Sequence, residues 1–358
     1  MKVNVIRPQD LSAEEIDLWQ SFQDQDAAYS SPYFSPHFTL AVGAVRRDAR
    51  VAICEDNSGI QAFFPFHKRE FGIGKPIGGP LSDYHGIIAR QNFKYDARDL
   101  IKHCGLKLFD FSHLLPCQTP FLTYARRTIE SHYLDLSGGF DAYLENRRQA
   151  GTSQISSINR KLRKLERDVA PIRFVPRDAN EAAFDLLLRW KISQYKRTRA
   201  PVVFESLWTV ELLRELLSHQ DNYFGGRLST LYLNDQPIAV HMGLVSKSTW
   251  HYWFPAFDRK FGHYSPGLVL LLKLAEFAAG SGIKELDLGY GNEPYKLAFA
   301  SHKRDLAAGT IALPGVARLS RKLRHSLETY YDVLPVNRPT KWIRMFFRRL
   351  GANNKFRC

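Results

Sequence analysis

The chain has 358 residues, a formal charge of +14 and a sequence pI near 9.6, with 44% hydrophobic and 13% aromatic residues. That length and apolar content suffice for two or three ordinary domains with real cores, and they exclude a disordered chain. The excess of Lys and Arg favours anionic partners: nucleotides, coenzyme A, phospholipid surfaces or RNA, with no DNA-reading motif in view.

Four cysteines, at positions 54, 104, 117 and 358, form no C-x-x-C pair. Neither a metal site nor a disulfide framework is therefore expected, and a reducing compartment is the simpler inference. Residues 1–10 lack the apolar stretch of a signal peptide. No apolar run reaches the ~18 residues needed to cross a bilayer, so a cytoplasmic protein is expected, at most peripheral to the inner membrane.

Residues 1–135 read as a first α/β unit. An amphipathic helix is predicted over 13–22, and Ser35 followed by Pro36 starts a second. Strands at 51–55 and 60–66 flank an Asn57, Ser58, Gly59 turn, a hairpin signal. Residues 72–80 are Gly-rich but lack the Lys-Ser/Thr ending of a P-loop, so a structural loop is expected there. Ser82, Asp83, Tyr84 and His85 follow as a stretch that would line a substrate cleft. A helix over 96–104 and a strand over 106–111 close the unit. Arg46 and Arg50 form an R-x-x-x-R pattern too short to separate nucleotide binding from an ordinary turn.

Residues 136–315 form the second unit. Over 140–168, Ile155, Ile158, Leu162, Leu165 and Val169 step by three and four residues and mark one apolar helix face. Arg160, Lys161, Arg163, Lys164 and Arg167 occupy the other sides, a solvated face or a cationic wall for a phosphorylated partner. Gly151, Thr152 and Ser153 break the segment into two helices. A strand at 171–176 precedes a helix over 180–199, with Trp190, Lys191, Gln194 and Tyr195 near its end, and another over 204–217. Strands at 227–233, 237–245 and 249–254 then form a meander. Its first turn, at 234–236, carries Asn and Asp, which tolerate left-handed dihedrals. Residues 257–267 lead into an apolar helix over 268–279, where Ser265 suits the N-cap and Pro266 the first turn. A strand over 283–290 alternates Leu286 and Leu288 with Asp287. A last strand is predicted at 309–313.

A meander, a turn of small residues and a helix N-terminus make an anion site, because free amides and the helix dipole both favour a phosphate. The residues Trp190, Lys191, Gln194, Tyr195 and Thr198, then Pro255 to Asp258, Ser265 to Gly267, and the run DLGYGNEPYK from Asp287 to Lys296 resemble the GNAT acyl-CoA transferases. They are closer still to the CelD/BcsL-type acetyltransferases of exopolysaccharide synthesis, relatives of the FemAB group. The resemblance covers roughly residues 136–300. It implies an α/β protein of two tandem GNAT-like, FemAB-type lobes, each a mixed, mostly antiparallel sheet flanked by helices, with a basic helical C-terminal tail. The implied boundaries are 1–135, 136–315 and 316–358. Where the usual pyrophosphate loop reads Q/R-x-x-G-x-G/A, this chain has Arg259, Gly262 and then Tyr264.

The resemblance implies acetyl-CoA as co-substrate, its diphosphate at Arg259, Gly262, Ser265, Pro266 and Gly267, and its thioester arm between strands 249–254 and 283–290. The thioester carbonyl would meet a backbone N–H near His251 to Trp253. Asp287 is the first candidate for general base or substrate orienter, through a pKa raised by partial burial. Glu293 is a second carboxylate, His251 a base that needs no shift, and Tyr290 and Tyr295 are candidate donors to the thiolate. Lys191, Gln194, Tyr195, Tyr295 and Lys296 would bind the acceptor, an amino-sugar precursor of an exopolysaccharide. The alternatives are an aminoacyl-tRNA-dependent transferase of FemX type and a non-catalytic nucleotide-binding regulator of a polysaccharide synthase. Beyond residue 315, basic stretches at 318–324 and 341–349 interleave with Trp342, Ile343, Met345, Phe346 and Phe347. They read as an amphipathic helix for an anionic membrane, or as a helix packed on the body.

Overall fold

A computed structural model describes residues 2–200, 202–219 and 223–315; the tail expected beyond residue 315 lies outside them. The first half holds strands β1 (Lys2–Ile6), β2 (Ala49–Asp56), β3 (Gly59–Arg69), β4 (Ile73–Pro76), β5 (Ile88–Ala89), β6 (Leu108–Leu114) and β7 (Ala125–Asp135). Its helices are α1 (Ala13–Gln25), α2 (Pro36–Val45), α3 (Ala97–His103) and α4 (Thr119–Leu122). The second half holds α5 (Gly139–Gln149), α6 (Gln154–Asp168), β8 (Ile172–Val175), α7 (Glu181–Thr198), α8 (Leu207–Ser218), β9 (Phe224–Leu233) and β10 (Gln236–Ser246). It ends with β11 (Thr249–Phe257), α9 (Pro266–Gly280), β12 (Glu285–Tyr290), α10 (Pro294–Phe299) and β13 (His302–Ala312).

Local chemistry sets these boundaries. Ser12 and Glu15 cap α1 reciprocally, Ser12 Oγ accepting from the Glu15 amide and Glu15 Oε2 from the Ser12 amide. Asn180 caps α7 by accepting from the Ala182 amide at 2.9 Å, and α7 stops at Arg199 in a left-handed conformation. Asn234, with φ of 49°, makes the turn from β9 to β10.

The described strands form one sheet in the order β1-β2-β3-β4-β6-β13-β7-β12-β11-β10-β9-β8, with β5 beside β3. Two equivalent halves are visible in that order. In each, four antiparallel strands (β1 to β4, β8 to β11) are followed by a parallel step across a helix, β4 to β6 around α3 and β11 to β12 around α9. This is the tandem arrangement expected from the sequence. The sheets of the two lobes are continuous with each other, because their last strands are exchanged. β7, which follows the first lobe's β6, pairs with β12 of the second. β13, which follows β12, lies between β6 and β7.

The cores follow the same logic. One is shared by the lobes: Trp19, Phe34 and Phe38 from the first pack with Leu187, Leu212, Phe224 and Met242 from the second. A second lies behind the second lobe's sheet, where Leu270, Leu271 and Leu274 of α9 meet Trp250, Leu286 and Leu288. A third, around Phe64, Phe66, Leu100 and Phe109, belongs to the first lobe. Within the Gly-rich stretch at 72–80, Ile73–Pro76 form β4 between β3 and β6, and the rest is turn. Arg46 is held by Asp48 and lies over the Trp208 ring, and Arg50 donates to the Arg47 and Ala49 carbonyls. Among the described residues no helix is long and apolar enough to cross a membrane.

Candidate active site

β11 and β12 are paired only through Thr249↔Glu285, Trp250↔Leu286 and His251↔Asp287. Beyond that point β11 runs on to Phe257 without β12, so the ribbons diverge. β11 also carries a register shift against β10 between the pairs Leu244↔His251 and Met242↔Phe254. Tyr252 and Trp253 thus oppose Gly243 alone, and a bulge of this kind leaves a backbone group out of the ladder. The fork and the bulge coincide at the segment expected to meet the thioester carbonyl.

His251 and Asp287 stand side by side at the fork, each 1% exposed. The His251 Nδ1 to Asp287 Oδ2 distance is 3.2 Å, and the His251 Nε2 to Asp83 Oδ2 distance is 3.0 Å. The Asp287 contact is an ion pair off the line of a good hydrogen bond; Asp287 Oδ1 accepts from the Gly289 amide at 2.8 Å. Because the carboxylates sit on opposite ring nitrogens, they do not converge as a chelate. Asp83 belongs to the first lobe, so the cluster is assembled across the lobes.

Both expectations about titration are reversed here. Burial by itself would lower the His251 pKa, but Asp287 and Asp83 outweigh it and raise it to about 9. At neutral pH His251 is therefore a cation, not a free base. Burial would raise Asp287, but the His251 charge, helped by Arg304 and the Gly289 amide, brings it down to about 2. Arg304 pairs with Glu285, which burial nevertheless lifts to about 7. Arg304 also lies over the rings of Tyr84 and Tyr133.

The signs give a pH prediction. A raised His251 pKa means stability that is complete below the ordinary imidazole value and is lost as pH rises toward 9. Glu285, raised from 4.5 to about 7, loses its share over that earlier interval. Lys191, lowered to about 8, acts in the opposite sense above that pH. The melting temperature is therefore expected to fall between pH 7 and 8, with a change in unfolding free energy on the order of 1 kcal/mol. A flat or rising profile there would reject the cationic His251.

The remaining predicted residues divide in two. Lys191 on α7 is 7% exposed, near Gln194 Oε1 at 3.3 Å and over the Tyr195 ring. Among the described residues no carboxylate lies within 4.0 Å of its Nζ. Burial, then the charge of Lys296, lowers its pKa. Lys296 donates to the Tyr290 carbonyl and pairs with Glu293 at 3.4 Å. Tyr290 is 47% exposed with its ring 4.4 Å from that of His113. Asp83 lies close enough for its charge to act on both Tyr195 and Tyr290. Tyr295, by contrast, packs into the core behind the sheet with α9. Glu293 is an exposed neighbour of Lys296 and makes no contact with His251 or Asp287 among those described.

At the start of α9 the expectation for Ser265 is corrected. Its φ is 56° and its side chain caps nothing; its Oγ instead accepts from Lys161 Nζ at 2.8 Å. The basic helix α6 thus brings a cation to the opening of α9, which the sequence reading had placed only on a general cationic face. Pro266 is the first residue of α9 as expected, and Arg259 is exposed. The half-exposed Phe257 ring lies beside Gly262 and Gly267, and a Cβ on Gly267 would come within 3.2 Å of it. Tyr264, in place of a small residue, is buried with its hydroxyl 3.5 Å from Asp168.

Sequence reasoning assigned no role to Tyr33, Glu285 or Arg304, and gave Asp83 only a place near the cleft. Tyr33 is buried with its ring 5.1 Å from that of His251 and 5.8 Å from that of Trp253. The available signal was the polar run Ser82 to His85.

Residues 152–297 match the family model of the acetyltransferase (GNAT) domain. The match covers the fork, α7 and the start of α9. The whole chain has the tandem GNAT-like fold seen in solved structures. It is similar to FemX, with a TM-score of 0.57, 10% identity and coverage of 90% of this chain and 99% of that one. It is also similar to a protein of unknown function from Bacteroides thetaiotaomicron, at 0.54 and 10% identity, covering 84% and 98%. A third similar structure is the C-terminal DUF2156 domain of an Agrobacterium fabrum protein described as a lysylphosphatidylglycerol synthetase, at 0.52 and 12% identity, covering 88% and 96%. No curated protein matches the sequence.

Proposed function

We propose that this protein is an acyl-CoA-dependent N-acetyltransferase acting on an amino-sugar precursor of an exopolysaccharide, as in the CelD/BcsL type. The observation that carries the transfer chemistry is the parting of β11 and β12 at the His251↔Asp287 pair. The thioester arm of acetyl-CoA would lie in that gap, its diphosphate against the amides opening α9 near Ser265 and Gly267, with Lys161 and Arg259 adding charge. The acceptor would enter from the cleft side. Lys191 and Lys296 would hold a phosphate on the sugar carrier, and Gln194 and Tyr195 its polar groups. Asp287 would fix His251 at the fork. A peripheral place at the inner membrane belongs to the same proposal.

A second reading, an aminoacyl-tRNA-dependent transferase, is favoured by the similarity to FemX and by the exposed cations Arg160, Arg163 and Lys164 along α6. Calorimetry separates the two. Binding of acetyl-CoA, with thiol released on adding glucosamine, supports the acetyltransferase. Binding of charged tRNA that weakens steeply with salt, with none of acetyl-CoA, supports the second reading. Binding of acetyl-CoA with no thiol released to any amino sugar would overturn the proposed reaction and leave a regulator.

A further inference from the structure

Asp83 sits on a loop that is locked in place before it reaches the fork. Ser82 Oγ donates to the Tyr84 carbonyl at 2.7 Å, Tyr84 Oη lies 2.8 Å from Ser131 Oγ, and the Gly78 amide donates to His67 Nε2 at 3.1 Å. Ser82, Tyr84 and His85 are all buried. The loop therefore delivers one carboxylate at a fixed position, 3.0 Å from His251 Nε2. The second lobe is cut to receive it. Gly289 has φ of 72°, and a Cβ there would lie 2.8 Å from Asp83 Oδ2. Any other residue at 289 would meet Asp83 and would also be strained in that conformation.

The three members of the cluster are not equivalent. Asp287 is sealed, with one oxygen on the Gly289 amide and the other against His251. His251 is equally sealed, with a carboxylate at each ring nitrogen. Asp83 alone of the three keeps part of its side chain exposed, 16%, and its charge reaches Tyr195 and Tyr290. The His251 cation keeps Asp83 ionised against its burial. Asp83 is thus a carboxylate with a free edge at the point where the ribbons part.

We propose that Asp83, from the first lobe, is the catalytic carboxylate that accepts the proton of the attacking acceptor, with His251 and Asp287 as the positioning residues behind it. This rests on the acyl-transfer reading above and names its base. The acceptor nitrogen forms a bond to the thioester carbonyl carbon, and the nitrogen's proton passes to an Asp83 oxygen. The C–S bond then breaks, and the departing thiolate takes that proton, so the carboxylate ends as it began. A carboxylate is base enough for this step, because the nitrogen becomes strongly acidic once bonded to the carbonyl carbon.

The test uses the full chain, acetyl-CoA and glucosamine, with thiol release as the rate and calorimetry for acetyl-CoA binding. Asp83→Asn is expected to lower kcat by ~10²-fold or more, the scale of a lost general base. Acetyl-CoA affinity should stay near that of the parent, the variant should still melt cooperatively though at a lower temperature because His251 loses a partner, and Asp83→Glu should recover at least tenfold over Asn. A kcat within threefold of the parent, or a rise confined to KM for glucosamine, would overturn the assignment. Bromoacetyl-CoA gives a readout that needs no acceptor: a carboxylate beside the acyl group displaces bromide and keeps the acyl unit as an ester. Labelling at Asp83, lost in Asp83→Asn, supports the assignment; a bound probe that labels Asp287 or Tyr290 instead opposes it. Failure of the parent protein to bind acetyl-CoA would defeat the acyl-transfer reading itself, and the Asp83 assignment with it.

Discussion

Residues 136–315 expressed without the first lobe are expected to give no cooperatively folded protein, although they contain the whole matched acetyltransferase domain. The exchanged strands are the reason. Both partners of β13, β6 and β7, lie in the missing part, so β13 would lose every ladder bond. β12 would lose β7 and keep only its three-pair contact with β11. That would leave the strand bearing Asp287 as an exposed edge in a fragment with no cover for it. The shared core would open as well. Trp19, Phe34 and Phe38 are buried against the second lobe's Leu187, Leu212 and Met242, and full burial of such a side chain is worth roughly 1.5–3 kcal/mol. Losing three of them, about 4.5–9 kcal/mol, is comparable to the whole margin of an ordinary domain. Amide dispersion and a thermal melt of the fragment, compared with residues 1–315, check this. A sharp melt with native-like dispersion in the fragment would show that the lobes are independent.

That exchange explains what the sequence concealed. The meander from β9 to β11, the helix α9 and the strand β12 were legible because each has its own periodicity and its own turn residues, such as Asn234 and Pro266. The tandem plan was legible through resemblance alone. β7 was missed altogether: residues 125–130 alternate no apolar face, since Arg126, Arg127, Thr128 and Glu130 are held by the ladder to β13 and not by a core. β13 was seen only at its end for the same reason, because His302, Lys303, Arg304 and Asp305 show no apolar face.

The site was legible in the same uneven way. Asp287 and His251 lie on strands with clear alternation, so the side of the sheet they face follows from Leu286, Leu288 and Trp250. Their charge states do not follow. A single sequence places Asp83 more than 160 positions from His251, and nothing local says that the two meet. Without Asp83, a buried His251 reads as neutral and a buried Asp287 as raised. The contact reverses both, because a desolvated charge is governed by its nearest opposite charge.

Asp287→Asn is expected to lower turnover by ~10²-fold or more, with acetyl-CoA affinity unchanged and the fold retained. The amide has the shape of the carboxylate, so its oxygen can still accept from the Gly289 amide and the Leu286 and Leu288 packing is undisturbed. The contact with His251 is what changes. A charged imidazole would present its Nδ1–H to a neutral group that no longer offers a second carboxylate. Removing one partner of a buried ion pair strands the other, so His251 should shed a proton near neutral pH. Asp83 would then face a neutral ring and lose the charge that holds its edge toward the cleft. The loss should therefore appear in kcat, accompanied by a His251 titration moved down from about 9 toward neutrality. Nitrogen chemical shifts of the ring can follow that titration directly. A variant with near-parental turnover would remove Asp287 from the mechanism. One that is slow but keeps a cationic His251 to pH 9 would separate the rate loss from the ring's charge and place the role of Asp287 elsewhere.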